Sequence, residues 1–204
     1  LSNVEVAIAE DREILTRGPH VLLGYYNNPE MTREAMTEDG WFKTGDVGKI
    51  DEDGYLFITD RKKSMFKLST GKYVAPQNVE GTLSQSGFIE QVMVIGNQRK
   101  FCSAVIVPSV ENVKKRLKRE NYQPTEPLSM DERVRGLIQG EVDTANQKMS
   151  PWERVKKFVL LDEPFSIESG ELTPTHKIKR QVVQERYKEK IEAIYSEEEG
   201  EKRG

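Results

Sequence analysis

Tyr55-Leu56-Phe57-Ile58-Thr59 is an apolar, β-prone run that stops against four consecutive charges, Asp60-Arg61-Lys62-Lys63. Alternation resumes only at Phe66-Lys67-Leu68. A strand that ends in charges with no apolar anchor, then restarts, divides the chain in two. The break is either a hinge between domains or a hairpin connection whose charges are solvated. Just upstream, Asp51-Glu52-Asp53-Gly54 reads as a tight turn, so the Tyr55 run folds back as a hairpin. Gly45 permits a sharp backbone turn, which predicts the Asp46 carboxylate at a loop tip. Gly71 marks the next turn.

The 204 residues suffice for one ordinary domain or a small domain with an attached subdomain. With 32% charged and 36% hydrophobic residues, the composition suits a modest core under a heavily charged surface. A net charge of -3 supplies no global basic field to hold nucleic acid. The single cysteine, Cys102, cannot form an internal disulfide and fits a reducing, cytoplasmic compartment. No apolar run reaches the length of a membrane span, and no signal-peptide core opens the chain. The chain starts in a strand-like run without an initiator methionine, as a piece of a longer polypeptide would. His20 and His176 are too isolated from other ligand types for a zinc site, so no metal site is expected.

Residues 1–60 read as strands with one short helix. Residues 4–8 and 13–17 alternate with period two, residues 21–26 are β-prone, residues 29–36 are helical, and Trp41-Phe42-Lys43 enters another strand. This part has few core positions and is expected to lean on absent sequence. From residue 61 the pattern mixes helix and strand. Helices are expected at 77–86, at 110–120 and from a Ser129 cap, with Glu132 three residues on, to about 147. Strands are expected at 91–96, 103–108 and 155–161. A last helix is expected from Thr173-Pro174-Thr175, with Ile178, Val182, Tyr187 and Ile191 on its apolar stripe. The acidic end after Ser196 is expected to fray. The pattern predicts fold class α+β, with β-rich residues 1–60 followed by a small mixed-sheet domain flanked by helices (61–204), and the break at 60–65, hinge or solvated connection, between them.

Several side chains fit two roles. Asp46 is a turn aspartate or a carboxylate that accepts hydrogen bonds from vicinal ribose hydroxyls. Arg61 is a surface residue or a planar donor fork for ribose and phosphate oxygens. Ile58 reads as a buried strand residue. Lys177, Lys179 and Arg180 crowd the first turn of the expected last helix, where cations oppose the dipole. Either a compensating anion or plain solvation accounts for them. The basic run Lys114 to Arg119 is a solvated helix face or a surface for phosphates or a membrane.

Together GYYNNPE, GWFKTGD, DGYLFITDRKK and K-x-x-x-G followed by P-x-x-V-E resemble the adenylate-forming acyl-CoA synthetases. Order and spacing match the long-chain fatty acid–CoA ligases best. The resemblance runs from the first residues to the early 190s and covers the last third of such an enzyme. It implies the β-rich end of an N-terminal adenylation domain, then a C-terminal lid domain. Asp46 and Arg61 would hold the ribose of ATP and acyl-adenylate, with Ile58 near the nucleotide. Lys63 falls on the family's hinge, whose backbone rotation swings the lid between adenylation and thioester formation. THKIKR (175–180) matches the catalytic-lysine motif, with Lys177 contacting carboxylate and α-phosphate oxygens. His176 departs from the glycine many members carry there. Lys67 would face the active site in the second arrangement, Gly71 would lie close to pantetheine, and Tyr73 would border the acyl or pantetheine channel.

The resemblance further implies ATP, Mg2+ and CoA as cofactors, with fatty acid, ATP, CoA and an N-terminal body of the same protein as partners. It fits a cytoplasmic location, with peripheral membrane contact left open. The family's phosphate loop, acyl tunnel and Mg2+ ligands lie outside this sequence, which predicts no ligase activity for the chain alone. A different reading is a non-catalytic interaction module of the same small-domain fold that docks through its basic helix.

Overall fold

A computed structural model describes residues 3–201; the side chains of Asp60, Lys63 and residues 197–201 lie outside that description. The chain divides into two compact units, Leu1–Met65 and Phe66–Gly204.

The first unit is an antiparallel sheet of four strands, β1 (Glu5–Ile8), β2 (Glu13–Arg17), β3 (Phe42–Ile50) and β4 (Leu56–Arg61), in sequence order. The β3–β4 turn forms because Asp51 Oδ1 accepts the N–H groups of Asp53 at 3.1 Å and Tyr55 at 2.8 Å. The short helix α1 (Pro29–Ala35) starts at Pro29, and Asn28 caps it by accepting the Met31 N–H at 3.0 Å. Residues 21–26 form no strand. Their apolar side chains find no ladder or core, and Leu23 and Tyr26 are fully exposed.

Strand β4 takes in the first two residues of the charged run, ending at Arg61 before a 3-10 turn at Lys62–Ser64. Ile58 is 65% exposed, not buried, because β4 is a sheet edge whose faces are uncovered at this point. Phe57, its neighbour on the opposite face, is also exposed.

The second unit opens with a hairpin, β5 (Phe66–Lys67) and β6 (Tyr73–Val74). Its main sheet is β7 (Ile89–Ile95), β8 (Cys102–Pro108) and β9 (Val155–Leu160), with β8 antiparallel to β7 and parallel to β9. Every residue of β8 is buried. One face, with Val92, Val94, Ala104, Ile106 and Phe158, packs on α2 (Pro76–Leu83), α3 (Val110–Lys118) and α4 (Glu132–Asn146). The other face, with Met93, Ile95, Val105, Val107 and Val159, packs on α5 (Arg180–Arg186) and α6 (Lys188–Glu201). A sheet covered on both sides needs apolar residues at successive positions, which is why these strands read as continuous apolar runs.

Two local expectations are corrected here. Helix α4 is capped by Asp131, whose Oδ1 accepts from Arg133 N–H at 2.9 Å and Val134 N–H at 3.0 Å. Ser129 lies in a 3-10 turn and binds Asp162 instead. The last helical segment begins at Arg180, not at Thr173, and is interrupted at Tyr187. The second piece, α6, extends to Glu201. Among the described residues, no helix is long and apolar enough to cross a membrane.

Candidate functional site

Asp46 sits inside β3, not at a loop tip. Between the pairs Glu13–Val47 and Leu15–Lys43, three residues of β3, Thr44-Gly45-Asp46, face one residue of β2. Gly45 makes this bulge possible with φ +72°, a conformation glycine adopts without a Cβ clash. Side chains then fix it. Thr44 Oγ1 donates to Ile14 O at 2.7 Å and accepts the Asp46 N–H at 3.0 Å, while Glu13 Oε1 accepts the Gly45 N–H at 2.9 Å. The bulge brings Asp46 into register with Arg61 on β4, whose Nε lies 2.7 Å from Asp46 Oδ1. Arg61 is two-thirds exposed, so the pair adds little stability. Its effect is chemical: a carboxylate acceptor stands beside a guanidinium donor, the combination suited to ribose hydroxyls and phosphate oxygens. Ile58 lies on the same strand as Arg61.

The charged break has an anchor that the sequence conceals. Lys62 Nζ lies 2.6 Å from both Asp11 Oδ2 and Glu13 Oε2. These hydrogen bonds, that to Asp11 first, push the Lys62 ammonium above its ordinary range, and Lys62 in turn holds Asp11 low. Glu13 is therefore buried as a double acceptor for Gly45 and Lys62, although its strand position suggests only an alternating polar residue. Its partners are 32 and 49 residues away, and no local pattern signals them. Lys63 follows within the 3-10 turn, and its side chain lies outside the described residues.

Because α5 starts at Arg180, Lys177 is not in a helix, and the dipole argument does not apply to it. It belongs to a tight hairpin in which Leu172 and Ile178 pair as an antiparallel bridge. Thr173 N–H donates to Lys177 O at 2.9 Å, and His176 N–H donates to Thr173 O at 2.8 Å. Thr173 Oγ1 accepts the Lys177 N–H at 3.0 Å. Thr173-Pro174 is thus a turn signal here rather than a helix start. His176 has φ +57°, a left-handed conformation in which glycine is unstrained. Lys177 is exposed at the end of this turn, and among the described residues no ion pair holds its ammonium.

Lys67, Gly71 and Tyr73 share the β5–β6 hairpin. Lys67 pairs with Tyr73, and its Nζ lies 5.4 Å from the Tyr73 ring centroid. Gly71 has φ +86°, and nothing lies within 4 Å of where its Cβ would be. Backbone conformation, not crowding by this chain, calls for glycine there. Gln98 N–H donates to Lys67 O at 2.8 Å and Ser69 N–H to Arg99 O at 2.9 Å, tying the hairpin to the β7–β8 turn. Asp46, Arg61 and Ile58 thus belong to the first unit; Lys67, Gly71, Tyr73 and Lys177 belong to the second.

Other reactive groups are occupied. Burial pushes the Cys102 thiol up to about 12, so it stays protonated near neutrality and packs in the core. On α3, Lys114 pairs with Glu126 at 2.6 Å and Arg116 with Glu120, which neutralises part of the basic run locally.

Residues 63–199 match the AMP-binding enzyme C-terminal domain, and the chain belongs to that family. The chain is 42% identical over 194 residues to long-chain-fatty-acid–CoA ligase FadD15 of Mycobacterium tuberculosis, a match covering 94% of this chain and 32% of that protein. It is 35% identical over 195 residues to long-chain-fatty-acid–CoA ligase 1 of Homo sapiens, covering 94% and 28%. Among solved structures, the A domain of carboxylic acid reductase from Segniliparus rugosus, in complex with AMP and a co-purified carboxylic acid, is similar at a TM-score of 0.69 and 26% identity. That match covers 96% of this chain and 32% of the other. The chain spans about 30% of the length of these curated relatives.

Proposed function

We propose that this chain is the C-terminal part of a long-chain fatty acid–CoA ligase. Such an enzyme joins a fatty acid carboxylate to ATP as acyl-adenylate, releasing pyrophosphate, and then passes the acyl group to the CoA sulfur, releasing AMP. In this reading Asp46 and Arg61 hold the ribose, with Ile58 near the nucleotide. Lys177 stabilises negative charge on the carboxylate and α-phosphate during adenylation. Lys67, Gly71 and Tyr73 serve the thioester step. Residues 1–60 are the end of the adenylation domain, residues 61–204 form the lid, and the backbone at Lys63 is the pivot. The division of the chain near this point into two compact units supports that arrangement.

One observation carries the proposal. Lys177 is an exposed ammonium on a hydrogen-bonded turn, with no carboxylate of the described chain to neutralise it. The names of the relatives, with AMP and a carboxylic acid in a similar structure, point to the same chemistry. Mg2+ would accompany ATP in this reaction.

The test uses the full-length ligase that carries this chain. Lys177→Ala should slow acyl-adenylate formation by about 100-fold or more, the loss typical of removing one charge-stabilising group. Transfer to CoA from preformed acyl-adenylate should persist. Unimpaired adenylate formation in that variant overturns the proposal. The 204-residue chain alone should form neither acyl-adenylate nor acyl-CoA.

A further inference from the structure

We infer that Glu80 and Arg180 form a strut that positions the Lys177 hairpin, so that the P-x-x-V-E segment serves adenylation without touching substrate. This rests on the reading of Lys177 given above. Glu80 Oε1 accepts the backbone N–H of Val94 at 2.7 Å and Arg180 Nη2 at 2.5 Å. Arg180 Nη1 donates to the Val94 carbonyl at 3.0 Å. One carboxylate and one guanidinium thus join α2, β7 and the first residue of α5, three residues beyond Lys177.

The physical logic is specific to these positions. β7 is an edge strand, and at Val94 its outward N–H and C=O have no neighbouring strand. Glu80 and Arg180 supply the acceptor and donor that a fourth strand would provide. Arg180 also stands at the N-terminus of α5, where a cation opposes the helix dipole, and Glu80 reverses that penalty. The compensating anion for this end of the basic cluster is therefore part of the protein. The Glu80 side chain is 15% exposed and that of Arg180 30%, so solvent screens the pair only partly.

The other leg of the hairpin is held independently. Lys179 N–H donates to Glu171 O at 2.8 Å, and the buried Glu171 carboxylate accepts Ser169 Oγ at 2.6 Å, with Arg186 Nε 3.5 Å away. Between these anchors the turn closes on itself through Thr173. Loss of the Glu80–Arg180 strut leaves the turn formed but frees its base. The ammonium then misses its line to the developing charge, while groups that bind nucleotide and CoA are untouched.

The test measures both half-reactions in the full-length ligase carrying Glu80→Gln, Arg180→Gln, the double variant, Arg180→Lys and Lys177→Ala, each checked for a retained thermal unfolding transition. Glu80→Gln and Arg180→Gln should each lower kcat for acyl-adenylate formation by about 10- to 100-fold. KM for ATP and CoA transfer from preformed acyl-adenylate should stay within about 3-fold. The double variant should be no worse than either single one, and Arg180→Lys should recover part of the loss. In a Lys177→Ala background, Glu80→Gln should add nothing. Parallel loss in both half-reactions, additive effects, or no loss at all overturns the strut. Should Glu80→Gln not fold, the two Arg180 variants decide by the same criteria. Wild-type adenylation in Lys177→Ala refutes the underlying assignment; a defect there with none in the strut variants refutes only the strut.

Discussion

The two units of this protein treat apolar side chains in opposite ways. In Phe66–Gly204 the central sheet is covered on both faces, and β8 is buried at every position. In Leu1–Met65 the described residues bury just two hydrophobic side chains, Ile14 and Val47. Leu23, Tyr26, Tyr55, Phe57 and Ile58 stand exposed there. Order in the first unit comes instead from polar contacts: Glu13 accepting from Gly45 and Lys62, and Thr44 closing the bulge. The contrast teaches that Asp46 and Arg61 depend on hydrogen-bond geometry, whereas Lys177 and Lys67 ride on a packed core.

The sharpest way to break this comparison is to truncate one phenylalanine in each unit. Phe158→Ala, at a fully buried site between helices and sheet, should cost about 3–5 kcal/mol in urea unfolding of the chain. Phe57→Ala, on exposed β4, should stay within about 0.5 kcal/mol. Equal losses would mean that the first unit has a core of its own.

A smaller effect belongs to Asp131. Burial raises this carboxyl, but the N–H groups of Thr125 and Val134 and the hydroxyls of Tyr122 and Thr125 outweigh it and hold it at about 2. An unfolded aspartate titrates near about 3.9, so the native carboxylate stabilises the second unit fully above that pH. The contribution is lost as pH falls through about 2. Asp131→Ala should cost about 1–2 kcal/mol at pH 7, the value of a helix cap. Urea midpoints of variant and wild type should converge as pH falls from about 4 to about 2; a constant gap counts against the cap.

The smallest expected change is at the lysine hairpin. His176→Gly should stabilise the chain by about 0.5–1 kcal/mol by relieving the left-handed strain at φ +57°. Thermal unfolding reads this directly, and a destabilised variant would show that the imidazole makes a compensating contribution.

Much of this was legible in advance. The β7 and β8 runs, the apolar positions of α2 and α4, and the Asp51–Gly54 hairpin announce themselves through periodicity and turn chemistry, which are local. Ser129 and Thr173 misled for the same reason: each is a good local helix signal at a place where a 3-10 turn or a hairpin prevails. Ile58 misled because β-propensity reports fitness for a strand and not whether anything covers it.

The sequence by itself determined the alternation of elements, the charged run at 60–63 between the two parts, and which residues carry the family's motifs. Motif matching needs only the order and spacing of side chains. The tertiary structure alone decided that Asp46 leaves a strand bulge beside Arg61, that Lys62 is anchored by Asp11 and Glu13, and that Glu80 reaches Arg180. Those contacts join residues 15 to 100 positions apart. Each is a charge pairing set by where strands and helices meet, and chain order alone carries no record of that meeting.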